Sequence, residues 1–176
     1  VKGSSLSIGS EILVKAINKA TKDKSIKAIV LRVNSPGGDA IASELITNEV
    51  IKARKVKPVI VSMGDVAASA GYEMSSNATM IVASPITITG SIGVFGIMPN
   101  LSRTLKNNVG LTFDTVKTND NAIISLTTPL SSQTKHVLQM NVENFYDNFI
   151  TKVAQGRKLD KTFVDSIARG RVWSAI

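Results

Sequence analysis

Ala28-Ile29-Val30-Leu31-Arg32-Val33-Asn34, followed by Ser35-Pro36-Gly37-Gly38-Asp39, is the stretch that decides the fold. An aliphatic, β-branched run that stops at a Pro-Gly-Gly turn reads as a buried strand handing over to a helix. The next residues carry Ile41, Leu45, Ile46 and Val50 at helical spacing and end in Lys52, Arg54, Lys55 and Lys57. Such a basic end complements the helix dipole and stays solvated. Upstream, Ser10 to Ala20 sets Ile12, Leu13, Ala16, Ile17 and Ala20 on one stripe, so a helix also precedes the strand.

Working downstream, Pro58 to Met63 is a second short apolar strand, Ala68 to Ser76 a helix of small residues, and Thr79 to Ala83 a third strand. The order is β-α-β-α-β. Alternation at this spacing predicts an α/β fold with a mainly parallel sheet covered by helices, joined by right-handed crossovers. Sites in such sheets lie at strand ends. Beyond Ser84 come Gly-rich, β-branched residues from Thr87 to Gly96, then an expected strand over Leu111 to Val116 and a polar stretch through Asn121. A long helix is expected from Ser131 to Gln155, on the recurrence of Leu138, Val142, Phe145, Phe149 and Val153. Asp160 is placed to cap a last short helix ending near Gly170.

The chain has 176 residues, 43% hydrophobic, enough to bury a real core as one domain or one repeat of a larger protein. No apolar run approaches the roughly 18 to 20 residues that cross a bilayer, and the N-terminus has no signal-peptide pattern. Zero cysteines exclude disulfides, thiolate metal sites and a cysteine nucleophile, and one histidine excludes a His-rich metal centre. Any Ser-His-Asp triad would need His136, which lies on the polar stripe of the long helix with Met140, Glu143 and Asp147 and reads as solvated. The net charge of +8 comes from scattered lysines with few aromatics, which argues for a basic soluble surface and against nucleic-acid binding. Asp39, Asp65, Asp114 and Asp120 lack paired-carboxylate or metal-ligand spacing and read as caps and turns.

Three turns, each after a strand, can carry chemistry. Asn34-Ser35-Pro36-Gly37-Gly38-Asp39 can bring backbone N–H groups close to an anionic oxygen. Gly64-Asp65-Val66-Ala67-Ala68-Ser69-Ala70-Gly71-Tyr72 surrounds one hydroxyl with residues too small to block it, making Ser69 a candidate nucleophile. Thr89-Gly90-Ser91-Ile92-Gly93 adds another hydroxyl-bearing turn. Taken singly, the first and third read as ordinary tight turns, and the second reads equally well as close helix-to-sheet packing.

Their succession is more specific. SPGG, AASAGY and TGSIG after consecutive strands, with Gly170-Arg171-Val172-Trp173 near the end, resemble the signal peptide peptidase A family of the Clp protease and crotonase-like fold. The resemblance runs from Ala28 to Trp173 and implies a Ser-Lys dyad, in which a neutral lysine amine takes the serine proton. By that resemblance Ser69 is the nucleophile, the N–H groups of Gly38 and Ala70 form the oxyanion hole, and Ser91 orients the lysine. Single-repeat members carry the lysine just before the long helix, at a position that corresponds here to Asn121. Lys117 falls about four residues earlier by an ungapped count. Two-repeat members carry it in their N-terminal repeat.

The resemblance therefore implies that residues 1–176 are a single catalytic repeat, the C-terminal half of a longer chain with both ends cut. The function expected is a serine endopeptidase half that hydrolyses apolar signal-peptide fragments at the bacterial cytoplasmic membrane, on its extracytoplasmic side. Its partners would be the N-terminal repeat and further copies in a homo-oligomer, with no cofactor and no metal. Three other readings stand beside it: a self-contained Ser69-Lys117 peptidase, a crotonase-type acyl-CoA site, and an inert assembly repeat in which Ser69 only packs. A bulky side chain at Gly38 is expected to disturb the N–H aimed at the oxyanion.

Overall fold

Parallel pairing builds the frame that the strand-turn-helix pattern calls for. In the computed structural model, which describes residues 7–119, 122 and 124–176, helix α1 (Ser10–Lys22) leads into strand β1 (Ile29–Ser35), helix α2 (Ala40–Arg54) and strand β2 (Val59–Ala68). Helix α3 (Ala70–Ser76) and strands β3 (Met80–Val82) and β4 (Ile88–Gly90) follow. β1, β3 and β4 all run parallel to β2. Because β2 is long, β3 pairs with Ile60–Ser62 and β4 pairs further along with Val66–Ala68.

The core sits on one face of this sheet. Val33, Val59, Val61 and Met63 point to the same side and pack with Ile17 of α1 and Ile46, Val50 and Ala53 of α2. Burying each such aliphatic side chain contributes about 1.5–3 kcal/mol, so this layer is the main source of stability. On the opposite face, Val30, Ile60 and Met80 lie in register across three strands, with Val30 and Met80 exposed.

β2 does not stop at Met63, where the sequence reading ends it. Val33 pairs with Met63, but the next register pair is Ser35 with Ala67, so Gly64, Asp65 and Val66 form a bulge opposite Asn34. The Asn34 side chain fills it. Its Oδ1 accepts the Val66 N–H at 3.1 Å, and a Cβ on Gly64 would come within 2.7 Å of that oxygen. The Gly-Asp pair looks like a turn in the sequence, yet the strand resumes after it.

Residues up to Gly93, with Tyr146–Ile176, form one compact unit; Val94–Phe145 form the other. In the first unit, the C-terminal part of helix α5 (Ser132–Arg157) buries Phe149, Ile150, Val153 and Ala154 against Ile92 and against Val164 of helix α6 (Lys161–Ile167). Asp160 caps α6, its carboxylate accepting the Thr162 and Phe163 N–H groups. A hydrogen bond from the Thr162 hydroxyl, together with those from the Phe163 and Thr162 N–H groups, holds the Asp160 carboxyl below the usual carboxylate range. Asp39 caps α2 in the same way through the Ala42 N–H at 2.7 Å. A final strand, β5 (Val172–Ser174), pairs antiparallel with β4. The sequence reading has no strand there, because three residues give no periodicity to read.

In the second unit, helical residues Ser102–Thr104 (α4) pass into a wider turn over Leu105–Val109, closed by Gly110 with φ +74°. The strand expected over Leu111–Val116 is not formed. Leu111, Phe113 and Val116 are exposed, and no ladder partner runs beside them among the described residues, so alternation alone has nothing to stabilise it. Leu138, Val142 and Phe145 on α5 are half-buried, and His136 is exposed as expected. Asp120 and Asn121 lie outside the described residues.

One position tests this packing directly. A Cβ on Gly71 would stand 2.8 Å from the Ser35 carbonyl and 3.5 Å from Val33 Cγ1. Gly71→Ala should therefore lower stability by about 1–3 kcal/mol through overpacking between α3 and β1, despite its better helix propensity. Urea unfolding is expected to show a lower midpoint with an unchanged slope.

Candidate active site

Ser69 occupies the hinge between β2 and α3, and its backbone is unlike that of its neighbours. Its φ of +52° and ψ of −122° lie outside the regions open to ordinary L residues. Such a conformation costs on the order of 1–3 kcal/mol and persists only where the surroundings enforce it. Two backbone hydrogen bonds do so. The Ser69 N–H donates to the Gly90 carbonyl at 2.9 Å, and the Glu73 N–H donates to the Ser69 carbonyl at 2.9 Å. At about 0.5–1.5 kcal/mol each, they are of the right size to offset the strain. The side chain is thrown out at the sheet's end, half-buried.

Gly37 closes against this turn from the other strand end. With φ +131°, its ideal Cβ position is 2.9 Å from Ser69 Cβ and 3.2 Å from Ser69 Oγ. Only a residue without a side chain fits here. Ser35 fixes the loop, its hydroxyl accepting the Gly37 N–H and donating to the Gly37 carbonyl, both at 3.2 Å. The sequence reading assigns the sensitive contact to Gly38, but a Cβ there meets nothing within 4 Å. The close approach to Ser69 is made by Gly37. What Gly38 keeps is an N–H that has no acceptor among the described residues, and the same holds for Ala70 at the first position of α3.

The third turn reaches Ser69 through the backbone. Gly90, whose carbonyl accepts from Ser69, directly precedes Ser91, which itself has φ +48° and donates its N–H to the Arg171 carbonyl at 2.7 Å. Around it, the Gly170 N–H donates to the Ile92 carbonyl at 2.8 Å, and Trp173 Cδ1 lies 2.7 Å from where a Gly90 Cβ would be. Thr89 and Thr87 tie β4 to the bulged strand, their hydroxyls donating to the Ala67 and Gly64 carbonyls at 2.8 Å each. Ser69, Gly37, Gly90 and Ser91 are thus gathered at one end of the sheet. Asn34, Gly37, Thr87 and Thr89 escaped the sequence reading as site-builders, although the Pro-Gly-Gly turn did mark Gly37.

Behind the hinge, burial pushes the Tyr72 phenol above its ordinary range, so it serves as an apolar wedge between the two cores. Lys152 also lies near α3, but its amine is engaged by Glu73 at 3.3 Å and Glu44 at 3.4 Å. Lys117 belongs to the unit Val94–Phe145 and is exposed there. The arrangement sets the half-buried Ser69 hydroxyl at the sheet's end against Gly37, with the Gly38 and Ala70 amides in the adjoining turns. Among the described residues no cluster of His, Cys, Asp and Glu could hold a metal ion.

Comparison with known proteins agrees with this geometry. Peptidase family S49 matches residues 51–176. Protease 4 of Haemophilus influenzae is 45% identical over 94% of this chain, which spans 27% of that protein. The chloroplastic serine protease SPPA of Arabidopsis thaliana is 36% identical over 99% of this chain, which spans 26% of that protein. The chain thus covers about a quarter of the length of these curated relatives. Among solved structures, a membrane-bound stomatin-specific protease in complex with a substrate peptide superposes with a TM-score of 0.57 at 19% identity, over 94% of this chain and 62% of the other. That likeness establishes a shared fold.

The contact between Gly37 and Ser69 yields the prediction. Gly37→Ala should slow acylation of Ser69 by a small activated ester by about 10²-fold or more, the scale of losing one oxyanion donor. Gly38→Ala, whose added Cβ meets nothing within 4 Å, should stay within about threefold of the parent chain. Stopped-flow release of the leaving group in the complete protein measures both.

Proposed function

Because the chain belongs to peptidase family S49, we propose that it is the serine-bearing half of an endopeptidase, with Ser69 as nucleophile and a lysine outside this chain as base. The observation that carries the reading is the strained turn at Ser69, which Gly37 and Gly90 hold open at the end of a parallel sheet. A packing serine has no need of a costly φ of +52°.

The chemistry follows from the positions. As Ser69 Oγ attacks a peptide carbonyl, its proton passes to a neutral lysine amine, and the carbonyl oxygen becomes anionic. The N–H groups of Gly38 and Ala70 receive that charge. The tetrahedral intermediate then expels the amine, which takes the proton from the lysine, and water completes the cycle on the acyl-serine by the same route reversed. Ser91, one residue beyond the Gly90 carbonyl, is assigned to orient the lysine.

The base is assigned to a second, N-terminal repeat for two reasons. Lys152, which reaches α3 from α5, is committed to Glu73 and Glu44. The curated relatives, of which this chain is about a quarter, have the length to hold a second repeat. The substrates proposed are apolar peptides such as cleaved signal peptides, processed at a bacterial membrane by a homo-oligomer. The name of one further relative, a signal peptide peptidase of Enterococcus faecium 35% identical over 89% of this chain, supports that substrate class. No described helix is long and apolar enough to cross a membrane.

Two outcomes test the reading. In the complete protein, Ser69→Ala should abolish hydrolysis of an apolar peptide while leaving the folded structure intact; wild-type-like turnover would reject the nucleophile. Residues 1–176 alone should be inactive, because a serine hydroxyl is a poor nucleophile without a positioned acceptor. Adding the N-terminal repeat should restore cleavage, and one lysine-to-Ala change in that repeat should remove it, whereas Lys117→Ala should change little. Peptidase activity of the isolated chain that disappears with Lys117→Ala would instead establish a self-contained dyad.

A further inference from the structure

Behind the candidate oxyanion hole lies a buried polar cluster that joins the two elements supplying its donors. Ser43, one turn into α2, donates its hydroxyl to Glu73 Oε2 on α3 at 2.6 Å, and lies 3.5 Å from the Ala70 carbonyl. The other oxygen of Glu73 receives Lys152 from α5 at 3.3 Å, and Lys152 reaches Glu44 on α2 at 3.4 Å. Ser43 is 2% and Glu73 8% exposed.

A buried carboxylate is costly unless paired, and replacing such a pair with apolar groups is often neutral or stabilising. Stability alone therefore does not account for an ion pair between three helices. Its placement does. α2 begins at Ala40, two residues beyond Gly38 with Asp39 as its cap, and α3 begins with the Ala70 amide. The Glu73 N–H also donates to the Ser69 carbonyl at 2.9 Å, so the residue that carries the buried carboxylate also holds the strained turn.

We propose that Ser43, Glu73 and Lys152 are positioning residues, whose cluster sets the spacing and aim of the Gly38 and Ala70 amides toward the developing oxyanion. The inference rests on the reading of Ser69 as nucleophile. None of the three side chains is assigned contact with substrate. They act through the first turns of α2 and α3, which need alignment to within a fraction of an ångström.

Steady-state kinetics on an apolar peptide with the complete protein tests this, using Ser43→Ala, Ser43→Thr, Glu73→Gln and Ser69→Ala. Ser43→Ala and Glu73→Gln should each lower kcat by about tenfold to a hundredfold with KM within about twofold, the pattern of an interaction felt only in the transition state. Ser43→Thr, which keeps the hydroxyl, should recover most of kcat. The double variant Ser43→Ala with Glu73→Gln should fall no further than the worse single one, because the two act as a unit. Circular dichroism melts identify folded variants; if Glu73→Gln does not fold, Ser43→Ala, which removes one oxygen, decides the matter. Folded Ser43→Ala with unchanged kcat, or with a loss entirely in KM, overturns the inference while leaving Ser69 in place, provided Ser69→Ala is inactive. Turnover that survives Ser69→Ala overturns the nucleophile assignment and this inference together.

Discussion

The hydrogen bond from the Ser69 N–H to the Gly90 carbonyl, 2.9 Å long, is the constraint on which the rest of the site depends. It continues the β2–β4 ladder one residue past the end of β2 and so prevents the chain from entering α3 by an ordinary route. Ser69 is forced to positive φ, its carbonyl is taken by the Glu73 N–H, and its side chain is directed away from the sheet. A strained residue at the end of a parallel strand is where a reacting group can be exposed without losing rigidity.

Holding that turn requires small residues at several close approaches. Gly37 meets Ser69, Gly71 meets the Ser35 carbonyl, and Gly90 meets Trp173. The bulge in β2 belongs to the same set of demands, because it advances Ala67 to pair with Ser35 and brings the end of β2 beside the Pro-Gly-Gly loop. The hydroxyls of Thr87, just before β4, and of Thr89, on it, then bond the Gly64 and Ala67 carbonyls of the irregular strand. Chain segments distant in sequence converge on one serine, with Arg171 and Trp173 supporting the turn that contains Ser91.

Much of this was legible in the residues. The aliphatic runs at Ile29 and Val59 predicted parallel strands, the Asp39 and Asp160 caps were placed correctly, and the order SPGG, AASAGY, TGSIG pointed to the protease family that residues 51–176 match. What the sequence concealed has physical causes. Gly64-Asp65 carries turn chemistry inside a strand, because Asn34 fills the bulge from another segment. Leu111 to Val116 alternates like a strand but finds no partner among the described residues. The steric role of Gly37, as opposed to Gly38, depends on which of two adjacent glycines turns toward Ser69, and periodicity carries no such information.

The central claim is that the one hydroxyl held by this turn is the nucleophile of the complete protein. Mass spectrometry of the complete protein after treatment with a fluorophosphonate measures this most directly, since the reagent needs both an activated serine and an oxyanion hole. The account predicts a single phosphonyl adduct on the peptide containing Ser69, with none on Ser35, Ser75 or Ser91. An unmodified Ser69 in a protein that cleaves peptides, or an adduct on another serine, would contradict it.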